Sequence, residues 1–246
     1  MTSAAELQVR VDLAACYRLV AHYGWDDMIF THISARVPGP EEHFLLNPFG
    51  MLFEEITASS LVKVDLEGNI VGQSDYFINP AGFTVHSSVH SIRHDAGCVL
   101  HLHATAGSAV SAQAEGLLPL TQHAMAFHGK VAYHGYEGIA LNLDERTRLQ
   151  ADLGDKHVMI LRNHGTLTVG SNVAQAFMRM YWLERACEMQ IAALGGDAKS
   201  RSLVIPPGEV AELTANQAEL VWGAGSQLAW PGLLRMLDRR DKSFRE

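Results

Sequence analysis

CVLHLHATAGSAV, residues 98–110, carries two histidines one residue apart where an apolar run gives way to small residues. The run predicts a strand ending at the histidines, and the small residues after it predict a helix. Alternate side chains of a strand share a face, so His101 and His103 point together while Leu100 and Leu102 point away. Two imidazoles so placed can reach one ion, although a single His-x-His is equally explained by two solvated or hydrogen-bonded side chains. His164 follows 61 residues after His103, in the β-rich run KHVMILRNHGTLTVG broken by Asn163-His164-Gly165. There it is expected on an exposed tip, with Gly165 allowing close backbone approach. Three neutral imidazoles with an open position would suit Zn²⁺, Fe²⁺ or Mn²⁺ in a catalytic rather than a structural role.

Working outward, Thr2 or Ser3 can cap an N-terminal helix with Leu7, Val11, Ala14 and Ala15 on its apolar face and Gly24 closing it. Short β-rich runs follow in MIFTHISARV, EEHFLLNP and LVKVDLEGNIV, separated by PGPEE, NPFG and EGN as turn signals. AGFTVHSSVHSIRHD spaces Val85, Val89 and Ile92 for a helix that leads into the His-x-His strand. Downstream, Asp144 can cap a helix over ERTRLQADLG, and a long helix is predicted from Asn172 to Leu194, ending at Gly195-Gly196. Beyond IPPGEV, the Trp230-Pro231 break predicts two short helices rather than one.

No repeat or low-complexity linker interrupts the chain. The expected fold class is α/β: a single-domain sandwich with a mainly antiparallel central sheet flanked by helices over residues 1–200, and a C-terminal helical segment, 201–246, packing on that body.

At 246 residues the chain is long enough for one sizeable core. The net charge of −8, with no massed basic stretch, excludes a nucleic-acid footprint. Cys16, Cys98 and Cys187 are widely spaced, odd in number and set among apolar residues, which predicts buried thiols in a reducing compartment. Charges at Glu6, Arg10 and Asp12 interrupt any signal-like apolar core, and no stretch suits a bilayer span, so a cytoplasmic protein without membrane partners is expected.

HLHATAGSAV followed by RNHGTLTVG resembles the class II aldolase/adducin family over roughly residues 8–195, and the adducin-type branch in particular. The resemblance implies the fold above, His101, His103 and His164 as metal ligands, zinc first among the metals with iron or manganese as alternatives, and a homotetramer. The sequence departs from the family's sugar-phosphate aldolases at informative places. Gly82, in NPAGFTVH, stands where they carry a catalytic glutamate. Phe49, before Gly50 in NPFG, replaces a small hydroxyl residue that binds phosphate. His32 stands where they have a pocket-lining asparagine, and His123 falls near a catalytic tyrosine that acts across a subunit boundary, with Gln122 and His128 as neighbouring choices. Phe49, Gly50 and Gly82 are therefore expected in the substrate pocket, and His123 and His32 as catalytic groups.

His86, His90 and His94 recur at helical spacing and are read as helix-face histidines with no open-site partner on another element. His134 and His157 receive no functional role. The chemistry expected is C–C lyase action on a small non-phosphorylated hydroxy or oxo acid. Decarboxylation tolerates Gly82 better than aldol cleavage because it needs no base to begin. The alternatives are a three-histidine non-heme iron oxygenase, and a non-catalytic binding head of adducin type. The end of the chain at Glu246, without a lysine-rich tail, weighs against the adducins' cytoskeletal role.

Overall fold

The computed structural model describes residues 2–195 and 203–246. The expected end at Gly196, and the boundary between 200 and 201, lie outside these residues. Helix α1 (Ala4–Tyr23) begins where Ser3 Oγ accepts the Glu6 N–H at 3.1 Å and ends at Gly24, whose φ of 68° is the left-handed conformation a closing glycine supplies. Ala14 and Ala15 of the expected face are fully buried and Val11 packs against the core, joined by Leu13, Cys16, Tyr17 and Val20, but Leu7 is 52 % exposed. Leu7 falls on the solvent side of the first turns, while Val9 and Val11 pack against the core.

Seven strands form one sheet: β1 (His32–Arg36), β2 (Phe44–Leu46), β3 (Val62–Val64), β4 (Cys98–Leu102), β5 (Val131–His134), β6 (Val158–Leu161) and β7 (Gly165–Gly170), in the order β3-β2-β1-β4-β7-β6-β5. Every pairing is antiparallel except β5 with β6. Alternation along β4 sends Cys98, Leu100 and Leu102 into the core on one face, shared with α1, α6 (Val173–Leu194) and α7 (Gly208–Asp238). Val99 goes to the other face, with Val85 and Val89 of α2 (Pro80–His90) and Leu149 and Leu153 of α5 (Glu145–Leu153). The result is the α/β sandwich expected from the sequence, completed by the short helices α3 (Thr105–Ser111) and α4 (Gln122–Met125). Ile92, placed on the inner face of α2 by spacing, falls beyond the helix end and is 45 % exposed.

The C-terminal segment is one 31-residue helix running through Pro231, not two short ones. Proline costs an internal hydrogen bond, but tertiary contacts on both sides of it hold the helix continuous. Trp222 and Trp230 are buried in the main core, and the Trp230 indole N–H donates to Asp12 at 2.8 Å. The three cysteines are free and buried. No helix among the described residues is long and apolar enough to cross a membrane.

Candidate metal centre

The end of β4 and the β6–β7 turn bring three imidazoles together. One ring nitrogen from each of His101, His103 and His164 lies within 4.8 Å of the others. His101 and His103 face each other Nε2 to Nε2 at 3.1 Å, and the His164 ring centre is 4.7 Å from each of theirs. The turn that delivers His164 needs Asn163 at φ 56°, which asparagine tolerates, and a side-chain-free residue at 165, where a Cβ would come within 2.3 Å of the Leu102 carbonyl oxygen. His164 is half-buried rather than on an exposed tip. Helix α3 clamps the turn: the His164 N–H donates to Ser111 Oγ, and Ser108 Oγ–H donates to the His164 carbonyl, both at 3.1 Å. The stretch 101–111 thus supplies two of the imidazoles and fixes the third.

The second nitrogen of each strand-end histidine is committed. His101 Nδ1–H donates to the Thr166 carbonyl at 3.1 Å, and His103 Nδ1–H donates to Asp27 at 3.0 Å. A neutral imidazole carries one N–H, so both Nε2 atoms present bare lone pairs to each other. Burial holds the His101 imidazole well below its ordinary pKa, and burial followed by the neighbouring His103 pushes His164 down to about 4, so a shared proton is a poor remedy. Convergent neutral donors whose outer nitrogens bond to a carbonyl and a carboxylate fit a divalent cation. Behind Thr166, buried Glu184 accepts its hydroxyl proton at 3.0 Å and the Gly107 N–H at 3.1 Å; burial raises the Glu184 pKa to about 7.

A cleft of about 530 Å³ opens beside the three imidazoles, lined in part by Asp27, His32, Phe49, Val85, Ile139 and Leu141. Phe49 and His32 therefore stand at the cleft. Gly50 does not line it; it is exposed in a turn at φ 111°. Gly82 lies beneath His32, where an added Cβ would be 2.7 Å from the imidazole Cδ2. The His32 ring thus occupies the room a side chain at 82 would need, and the absence of a carboxylate there is coupled to the presence of this histidine. His123 packs against Trp182 in a tilted arrangement with ring centres 4.5 Å apart, and neither it nor Gln122 nor His128 lines the cleft within this chain.

The helix histidines part company. His94 is exposed and pairs with Glu42 at 3.3 Å, but His86 and His90 are fully buried, and His86 Nε2 is 2.9 Å from His32 Nδ1. His86 therefore does have a partner on another element: β1 turns His32 and Ser34 toward α2. His134 is held by Asp152 and Glu145 at 2.7 and 3.4 Å. Asp27, Thr166 and Glu184 went unread in the sequence; Asp27 is 76 residues from its histidine, and no spacing signal joins them.

Residues 11–191 match the model of the Class II Aldolase and Adducin N-terminal domain. The chain is 55 % identical to an aldolase II superfamily protein from Pseudomonas syringae of known crystal structure, with a TM-score of 0.94 over 99 % of this chain and 97 % of that one. L-fuculose 1-phosphate aldolase from Glaciozyma antarctica PI12 superimposes at TM-score 0.84 and 26 % identity, over 100 % of this chain and 95 % of that one. Alpha-adducin of Rattus norvegicus is 44 % identical over 95 % of this chain, which spans only 33 % of the adducin. With its fold, its three convergent histidines and a matched region covering most of its length, the chain belongs to the class II aldolase and adducin family.

Proposed function

We propose that this protein is a divalent-metal-dependent lyase that breaks a carbon–carbon bond in a small non-phosphorylated hydroxy or oxo acid. The observation that carries this reading is a three-imidazole donor set beside a cleft with no lysine or arginine among its described lining residues. A phosphate group would find no cationic side chain there, whereas a carboxylate and an adjacent oxygen suit a single metal. His101, His103 and His164 would hold the ion, zinc by their nitrogen donors. When bound, a divalent cation would grip two substrate oxygens and stabilise the charge that develops as the bond breaks.

The chain's own residues do the rest. Asp27 and the Thr166 carbonyl orient two ligands. Phe49, Val85, Ile139 and Leu141 keep water from the reacting carbon. His32, held neutral by burial, lines the cleft and would meet a substrate oxygen there. With glycine at 82 the family's carboxylate base is missing, and the one carboxylate among the cleft's described lining residues, Asp27, is engaged by His103, which favours decarboxylation over retro-aldol cleavage. His123 would act on the cleft of a neighbouring copy in a homotetramer, whose existence light scattering checks.

The test is metal analysis of protein purified without added metal, followed by aerobic and anaerobic assays on a panel of hydroxy and oxo acids. Bound zinc with oxygen-independent turnover is expected; bound iron with oxygen consumption would replace the lyase by an oxygenase. The 44 % identity to alpha-adducin supports a second reading, a binding head without turnover. Failure to retain metal under any condition would favour it.

A further inference from the structure

Behind the cleft, four buried side chains form an unbroken row. His32 Nδ1 lies 2.9 Å from His86 Nε2, His86 Nδ1 bonds to Ser34 Oγ, and Ser34 Oγ lies 2.7 Å from His90 Nε2. Exposure is 4 % for His32 and essentially nil for the other three. The inner end stops at His90 Nδ1, which makes no well-formed hydrogen bond; the nearest acceptor is the Ala96 carbonyl, which interacts with this ring and also accepts from Arg36 Nε at 3.4 Å. The outer end is His32, which lines the cleft.

Neutral imidazoles carry one proton each, so with the buried Ser34 O–H donating within the row there are two self-consistent proton orders. In the first, all donors point inward: His32 Nδ1–H to His86, His86 Nδ1–H to Ser34, and Ser34 O–H to His90. That order leaves His90 Nδ1–H as a buried donor without a well-formed hydrogen bond, and it sets a bare His86 Nε2 against the His32 carbonyl oxygen 3.3 Å away. In the second, His90 Nε2–H donates to Ser34, Ser34 O–H to His86 Nδ1, and His86 Nε2–H to His32 Nδ1, with the His32 carbonyl as a second acceptor. The cost of this order is a His90 Nδ1 lone pair left beside the Ala96 carbonyl. A buried orphan N–H costs more than an unused lone pair and is rarer in folded proteins, so the outward order prevails.

We propose that Ser34, His86 and His90 are positioning residues that hold His32 in its Nε2–H tautomer, presenting a neutral N–H donor to the cleft beside the metal centre. Its partner is an oxygen that gains negative charge during reaction, such as the enolate oxygen of an oxo acid. The inference rests on reading the cleft as a substrate site, but the tautomer is observable without turnover.

The experiment is ¹⁵N NMR of the imidazole nitrogens in the zinc-loaded protein, with His32 assigned by loss of its signals in His32→Phe. The expected result is the Nε2–H pattern for His32, replaced by a mixture of tautomers in Ser34→Ala, which cuts the row. An Nδ1–H pattern in the unmodified protein, or an unaltered His32 in Ser34→Ala, overturns the proposal. If Ser34→Ala does not fold, His90→Phe, which keeps the ring stacked 4.8 Å from Phe44, removes the inner donor and is read the same way. Failure of the lyase reading would show instead as absent zinc or absent turnover with the His32 tautomer unchanged.

Discussion

Two sets of three histidines sit within one strand pairing of each other, since His32 of β1 is the register partner of His101 of β4. In the outer set, His101, His103 and His164, ring nitrogens converge and two of the outer nitrogens are tied down by Thr166 and Asp27. In the inner set, His32, His86 and His90, each ring bonds to the next along a row through Ser34. The residue type is the same and the surroundings decide the use: convergence leaves lone pairs free for a shared cation, whereas a head-to-tail row consumes most of them internally.

The sharpest way to break the contrast is His164→Ala. It should lower metal affinity by more than about 100-fold, beyond the range typical of an outer partner, while leaving the inner row intact; metal analysis after dialysis checks it. The inner row should instead show itself in acid stability. Burial depresses His86 and His90 to about 3 from 6.5, so between those values the unfolded chain binds more protons and stability falls as pH falls. Each contributes about 1.4 kcal/mol per pH unit over that window. Glu184, raised from 4.5 to about 7, acts oppositely, its contribution being lost as pH rises through that range. Burial depresses His32, His101 and His164 as well, and together these histidines outnumber Glu184, so the stability of metal-free protein should fall steeply as pH drops below about 6.5. Urea unfolding of metal-free protein at several pH values measures it; a flat profile would contradict the buried neutral row.

Asp27→Asn should weaken metal binding about 10- to 100-fold by removing the charge behind His103, read by competition with a chelator. The smallest effect sharpens the boundary between the sets. Gly82→Ala gains up to about 1 kcal/mol of helix propensity but pushes a methyl to 2.7 Å from the His32 ring. Overpacking of about 1–3 kcal/mol should win, giving a net destabilisation of roughly 1 kcal/mol in denaturant titration.

Much of this was readable in the chain. The His-x-His strand, the small-residue helix after it and the Asn-His-Gly turn are local patterns, and each predicted element forms. The exposure of Leu7, alone of its predicted face, and the unbroken α7 were not readable, because both depend on where the core lies. The i, i+4 spacing of His86 and His90 was visible, yet their use was not. Spacing along a helix does not say which strand lies against it.

The sequence by itself determined the alternating strands and most of the helices, since these follow from periodicity and turn chemistry within short windows, while the joining of His164 to the His101 and His103 pair came from the family resemblance. Tertiary structure alone decided that Asp27 backs His103, that Glu184 backs Thr166 and that His32 fills the space above Gly82. Those contacts join residues tens of positions apart. Their geometry is set by the register of β1 on β4 and the packing of α2 on the sheet, which no local pattern encodes.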